Sequence, residues 1–484
     1  MADPFATVHL DASSRPGADA APIELEERPF TVVVLGDFSA RASRRADRAE
    51  LSGLRPLSVD RDDIDEVLER LAPRLRLDGQ GASFETDFRE IDDFHPDGLY
   101  DRAGLFRELR RVRARAADAA TFPAVTAELG QGGEAPAPAP RAPSGTAGML
   151  DLILDEAEPP AAPMEVIDSR AELERYVRRL VAGHLVAGPD PRQAEVVARI
   201  DAAIGEEMRV VLHHPSFQAL EALWRALFLL VRRVETGPLL RIRVLDVTRA
   251  ELEADLGRDD PARGAVGSAL ASVTPAVVVV AEAFGPEPAD LDVLRRLAEL
   301  GRAVGAPVLA AAAPSLVGCP APGADPAEWS PTASGWEALR REPAARFLGL
   351  AFPRFLLRLP YGEDAEECER FRFEESPGHE EYLWGSPAIA CAIMIAQAFS
   401  AAGWEMRPGM VRGLEGLPLH LVRSEGETSA KPCAEAWMSE RAAGRILDAG
   451  VMPLASLKDR DAVQLVRFQS IASPPAALAG RWGG

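Results

Sequence analysis

Lysine is almost missing from this chain: of 54 basic residues, only Lys431 and Lys458 are not arginine. Cysteine and tyrosine are scarce too, with four of each in 484 residues. Cys319, Cys368, Cys391 and Cys433 are scattered without a CxxC pair, which removes the usual zinc and dithiol signatures and reads as reduced thiols. No stretch approaches the roughly 18–20 consecutive apolar residues of a membrane span. Ala388–Ala402 comes nearest, but it is short and carries Gln397 and Ser400, as a core helix can. The N-terminus, MADPFATVHLDASSRPG, lacks the basic flank and apolar run of a signal peptide, so a cytoplasmic protein is expected. Positive charge is in deficit, 54 basic against 75 acidic residues for a formal −21, which argues against a phosphate-backbone (nucleic acid) binder.

Chemical motifs are missing as well. Nothing matches GxxxxGK[ST], no GxGxxG follows a predicted strand, and there is no GxSxG elbow. His213-His214 are adjacent and point apart, and His379-Glu380-Glu381 lacks the second histidine of HExxH, so packed or capping histidines are expected and no metal. The pairs Asp92-Asp93, Glu366-Glu367 and Glu374-Glu375 are expected on a solvated face. Tyr382, Trp384 and Trp404 suit core packing better than a ligand pocket. No catalytic residue and no cofactor is assigned.

What the chain does have is clearest at Val211–Val247. Phe217, Leu220, Trp224, Leu227, Phe228 and Val231 recur at three- and four-residue steps, which predicts one buried helical face. Pro215 suits the first turn, and Gly237-Pro238 ends the helix before an alternating strand over Arg241–Val247. Each buried side chain of this kind stabilises by roughly 1.5–3 kcal/mol. With Tyr361 and Trp384, the residues Phe217, Leu220, Trp224 and Phe228 are taken as core anchors.

Upstream, Val8–Leu10 is a short possible strand in a polar arm, and Pro29–Phe38 is a dense β-branched run. A helix is predicted over Ile64–Leu77, a strand over Phe84–Phe88 and an arginine-rich helix over Leu99–Ala116. Residues 118–147 turn to Gly, Ala and Pro and read as a linker. Within a second Pro-rich zone, Met149–Ala157 is a short apolar island better suited to docking than to a core. Helices over Val166–Leu185 and Arg192–Met208 lead into the anchor helix. Beyond it, strands at Arg241–Val247, Ala276–Ala281 and Pro307–Ala312 alternate with helices, as in a parallel sheet covered on both faces. Residues 347–359 extend the apolar pattern, and 451–484 show no strong element.

The expected organisation is therefore α/β, with an α+β character in a small unit at 1–117. The linker 118–147, the island and second linker 148–165, a large domain 166–470 with a mainly parallel sheet, and a flexible tail 471–484 follow.

Two sets of blocks resemble a known family. ATVHLDASSRPGADAAPIELEERPFTVVVLGDFSAR and FREIDDFHPDGLYDRAGLFRELRRVRA are similar to the small contractile sheath subunit of the type VI secretion system. HHPSFQALEALWRAL, LLRIRVLDV, FLGLAFPRFLLRLPYG, YLWGSPAIACAIMIAQAF, GLEGLPLH and GVMPLASLKDRD are similar to the large subunit. The chain thus resembles a fusion of the two (TssB and TssC, also called VipA and VipB), with the pattern fading after Gln469, where the large subunit's C-terminal region would follow. The resemblance implies a non-enzymatic structural role in a sheath around an inner tube, assembled from this chain or other sheath subunits, and recycled by a ClpV-type AAA+ unfoldase. It would make Leu150, Ile153 and Leu154 the unfoldase-docking positions and Val8 and Leu10 part of an inter-protomer strand. The contrasting readings are a sheath-associated cap or regulator that does not polymerise, and a Rossmann-like small-molecule enzyme.

Overall fold

The computed structural model describes residues 28–48, 51, 53–78, 83–118, 121–130, 193–258, 260–363, 365–375, 381–424 and 427–482. Val8, Leu10, Leu150, Ile153, Leu154 and the helix expected over Val166–Leu185 lie outside the described residues.

In chain order the first portion holds β1 (Phe30–Gly36), β2 (Leu57–Val59), α1 (Ile64–Leu71), β3 (Arg74–Asp78), β4 (Ser83–Asp87), α2 (Pro96–Arg102), α3 (Gly104–Ala117) and α4 (Phe122–Gly130). The second begins with α5 (Gln193–Leu212), α6 (Pro215–Arg233), β5 (Leu240–Asp246), α7 (Arg249–Leu256), α8 (Ala265–Val273), β6 (Val277–Phe284), α9 (Pro288–Val304) and β7 (Val308–Ala312). It continues through α10 (Ser334–Arg340), β8 (Leu348–Phe352), β9 (Phe355–Arg358), β10 (Leu383–Gly385), α11 (Pro387–Ala402) and β11 (Gly413–Leu414). Last come β12 (Leu421–Ser424), β13 (Glu427–Ala430), α12 (Glu440–Asp448), β14 (Met452–Ser456) and β15 (Val463–Leu465).

A nine-stranded sheet runs in the order β11-β15-β14-β8-β7-β6-β1-β5-β2. From β14 to β5 the pairs are parallel, while β2 closes one edge and β15 and β11 the other in antiparallel fashion. The fold is thus the expected mixed α/β with a large, mostly parallel sheet. Its centre is what periodicity alone does not specify. Strand β1, from the first portion, lies between β5 and β6 of the second, with Phe30–Gly36 in register with Leu240–Asp246 and Val32–Leu35 with Val277–Val280. All seven residues of β1 are buried, which suits a β-branched run covered on both faces.

Alternation along β1 feeds two cores. Phe30, Val32 and Val34 join Phe217, Leu220 and Trp224 of α6 and the apolar side chains of α11. Val33 and Leu35 join Leu252, Leu270, Leu294, Trp336 and Ile446 from the helices on the opposite face. Helix α11 is apolar and long enough, extended to Glu405, to cross a membrane by composition, yet most of it is buried against strands β6, β7 and β8 and helix α6.

Several expected elements differ. The helix predicted to Leu77 stops at Leu71, because Ala72 takes a left-handed conformation (φ 46°) ahead of Pro73. Arg74–Asp78 then pairs with Ser83–Asp87, so the apolar Leu75 and Leu77 follow a two-residue period. The arginine-rich helix is two helices separated at extended Ala103. Residues expected to open the linker instead form α4. The final segment contributes β14 and β15, and its last turn is packed: Ile471, Leu478 and Trp482 are buried, so 471–482 is no loose tail.

Candidate functional site

The junction between the two portions is the most elaborately built part of the molecule. At the carboxyl end of β1, the chain turns through Asp37, whose carboxylate accepts from the Arg41 and Ala42 amides at 2.9 and 2.8 Å. That turn aims Ser39 and Arg41 at the end of β5. Ser39 donates to Asp246 through its amide (3.1 Å) and its hydroxyl (2.9 Å). The Arg41 guanidinium pairs with Asp246 and, at 2.6 Å, with Glu251 of α7. Glu251 also accepts from the Arg48 amide at 2.6 Å and closes a capping box with Thr248. Burial opposes the charge on Glu251, but Arg41 and the Arg48 and Thr248 amides bring its pKa below the ordinary value. Both carboxylates belong to the second portion and their main cation to the first, so the network fixes one against the other.

A second buried network lies beneath α6. Arg358 on β9 pairs with Glu221 (2.8 Å) and Glu375 (2.6 Å), and Arg225 pairs with Glu221 (2.7 Å) while donating to the Tyr361 hydroxyl (2.8 Å). Burial works against the charge of Glu375. Arg358, His213 and the Tyr361 amide outweigh it and lower its pKa to about 2. Burial also pushes the Tyr361 phenol upward. The first portion reaches this network through His95, edge-on to Tyr361 at 4.8 Å.

Aromatic contacts continue the junction. Phe38 meets Trp224 edge-on at 5.2 Å, and the Trp224 indole donates to the Phe38 carbonyl at 3.0 Å. Phe88 and Phe94 stack on each other and pack against Phe217. Tyr100 packs on Phe371 and Phe30 on Phe399. Farther out, Arg113 of α3 pairs with Asp201 of α5.

Of the core anchors, Phe217, Leu220, Trp224 and Tyr361 are buried in this junction. Phe228 is half-buried under Arg232, and Trp384 belongs to a small cluster with Leu356 and Tyr382. His214 caps α6 by accepting from the Ser216 amide, and His213 lies 3.4 Å from Glu375. Among the described residues no group of three or more potential ligands is arranged to hold a metal. Asp93 and Glu375 correct one expectation: in place of a solvated face each lies 3 % exposed, because Arg102 compensates the first and Arg358 the second. Sequence reasoning also missed Arg41, Asp246 and Glu251, whose partners lie more than 200 positions away.

Above the junction, at the carboxyl ends of β1, β6 and β7, a cavity of about 510 Å³ opens between α6 and the start of α11. Its walls include Leu220, Leu223, Trp384 and Ile389, and two carboxylates, Asp37 and Glu282, reach it. A side chain at Gly36 would press on Leu223, with its Cβ 2.9 Å from a methyl, so glycine keeps this end of β1 open.

Comparison with known proteins matches each portion separately. The VipB family model, described as EvpB/VC_A0108, tail sheath N-terminal domain, matches residues 194–265 and 272–472. The model described as type VI secretion system, VipA, VC_A0107 or Hcp2, matches residues 16–121. One curated relative, the type VI secretion system sheath protein TssC1 of Pseudomonas aeruginosa, is 30 % identical over 319 residues, 58 % of this chain. The chain spans 61 % of that relative's length.

Proposed function

The chain belongs to the VipA/VipB sheath family of the type VI secretion system as a fusion of its two subunit types, and from that premise we propose that it works as a ready-joined building block of a contractile sheath. The family is one of structural sheath proteins, and the block acts here by assembly, with copies of itself or with other sheath subunits around an inner tube in the cytoplasm. The observation that carries this reading is β1: the strand from the VipA-like portion runs through the middle of the VipB-like sheet. Joining the two in one chain replaces a bimolecular encounter by an effective concentration that reaches the millimolar range for short flexible linkers, and it fixes one-to-one stoichiometry.

Two finer assignments belong to the same proposal. Leu150, Ile153 and Leu154 dock a ClpV-type unfoldase, and Val8 and Leu10 supply a strand to a neighbouring protomer by β-augmentation. Ile153→Asp is expected to abolish retention of the unfoldase in a pull-down while leaving the melting temperature unchanged; undiminished retention removes the docking assignment.

Negative-stain microscopy of the purified protein, alone and mixed with a full-length large sheath subunit, tests the main reading. Tubes in either sample are the expected result. Monodisperse particles that only bind the ends of preformed sheath would make the protein a cap, and particles that ignore sheath subunits altogether would overturn the proposal.

A further inference from the structure

The cavity at the carboxyl ends of β1, β6 and β7 holds a carboxyl group that has no partner among the described residues. Four charged side chains line it: Asp37, Glu282, Arg249 and Arg354. Both cations are already engaged. Arg249 pairs with Glu253 and with Asp290 at 2.7 Å, and Arg354 pairs with Glu435. Asp37 has two backbone amides and no cation of its own at bonding distance. Glu282, half-buried, has no hydrogen bond or ion pair among the described residues. Burial pushes the pKa of Glu282 up, and of its charged neighbours Arg249 opposes that rise while Asp37, Glu253 and Asp290 add to it. The Ser386 hydroxyl, buried at the same cavity, likewise lacks a partner. An isolated carboxylate in such a place is costly unless a counter-charge meets it.

The walls say what form the counter-charge takes. Leu220, Leu223, Trp384 and Ile389 line the space with apolar surface, and about 510 Å³ is the size of a small-ligand site. A hydrated metal ion gains nothing from such walls. A cation on an aliphatic stem does, and guanidinium, more weakly hydrated than ammonium and able to bind a carboxylate in a fork, loses least on entering. We propose that this cavity receives a guanidinium on an aliphatic stem, the arginine side chain of a second copy of this chain.

The donor is argued from charge complementarity, and that part rests on the assembly reading given above. All but two of the basic residues are arginine. Arg241, exposed near the start of β5, stands toward the opposite end of the sheet from the cavity, and Arg243 lies two residues on, half-buried at the middle of the strand; neither has a carboxylate partner among the described residues. The Arg243 Nε is buried and has no hydrogen-bond partner among the described residues. Burial and the neighbouring Arg241 both lower the pKa of Arg243. The cavity end of the sheet thus has a carboxylate without a partner, and the first half of β5 has arginines without one. Contact between unlike ends is heterologous, and repeated without closure it builds a filament.

Two independent experiments decide the matter. Calorimetric titration of the full chain with butylguanidinium and with its neutral analogue butylurea reads the cavity directly. At least tenfold tighter binding of butylguanidinium is expected, with the preference lost in Glu282→Gln; equal binding of the two probes, or an undiminished preference in the variant, overturns the site. Sedimentation then identifies the donor. Glu282→Gln and the double variant Arg241→Ala/Arg243→Ala are each expected to weaken self-association at least tenfold. A mixture of the two retains one intact contact and should stop at pairs. Self-association unchanged in both variants overturns the second copy as the donor. A chain that never self-associates defeats the assembly reading, while the probe titration still reports on the cavity.

Discussion

Arg41 is 7 % exposed and bridges two carboxylates, Asp246 and Glu251, that enter from the other portion of the chain. Removing it takes the main cation from both acids, leaving Asp246 only the half-exposed Arg48, and breaking a buried pair in this way costs up to about 3–5 kcal/mol. Arg41→Ala is therefore expected to lower unfolding stability by that amount in urea titration, whereas Arg45→Ala, a few positions away, should change it by less than about 0.5 kcal/mol. Glu375 makes the corresponding statement about pH. Its pKa falls from the ordinary 4.5 to about 2 in the folded protein, so protonation is harder there than in the unfolded chain. A depressed carboxylate contributes stability that is complete above about pH 4.5 and disappears as pH falls through 2, amounting to about 3 kcal/mol. Urea midpoints measured between pH 5 and pH 2 should fall more steeply for the wild type than for Glu375→Gln; parallel slopes would contradict the assignment.

Among the elements, helix α6 was the most legible, because a helical face of Phe217, Leu220, Trp224 and Leu227 repeats within one short window. Strand β1 was equally visible as a strand, since five β-branched or aromatic residues fall among its seven, but its neighbours were not. A fully buried strand is apolar on both faces, so its sequence names no partner, and β5 and β6 lie over 200 positions downstream. The hairpin β3–β4 was hidden because Leu75 also suits the helical spacing begun by Ile64, and only Ala72-Pro73 marks the change. Strand β14 was obscured by Pro453 inside it. The junction networks were illegible for a related reason: an acidic chain offers many carboxylates, and sequence does not say which one meets an arginine. Trp224 joins the two kinds of information, being readable as core yet also hydrogen-bonded to the Phe38 carbonyl across the junction. Trp224→Phe keeps an aromatic ring there but leaves that carbonyl unpaired, an expected loss of about 1–3 kcal/mol by chemical denaturation. A loss confined to a few tenths would show that the bond contributes nothing.

At the scale of the whole molecule, the two sheath-type portions do not touch as finished domains; they complete one sheet. Without β1, strands β5 and β6 lose the strand that pairs with both, and the apolar side chains of α6 lose Phe30, Val34 and Phe38. The most direct measurement is to place a single protease site between Gly130 and Gln193, cut the folded chain to completion, and run it on a sizing column at physiological salt. The two pieces should elute together at the volume of the uncut protein and separate only in denaturant. Pieces that part company in native buffer, each still folded, would contradict the shared sheet.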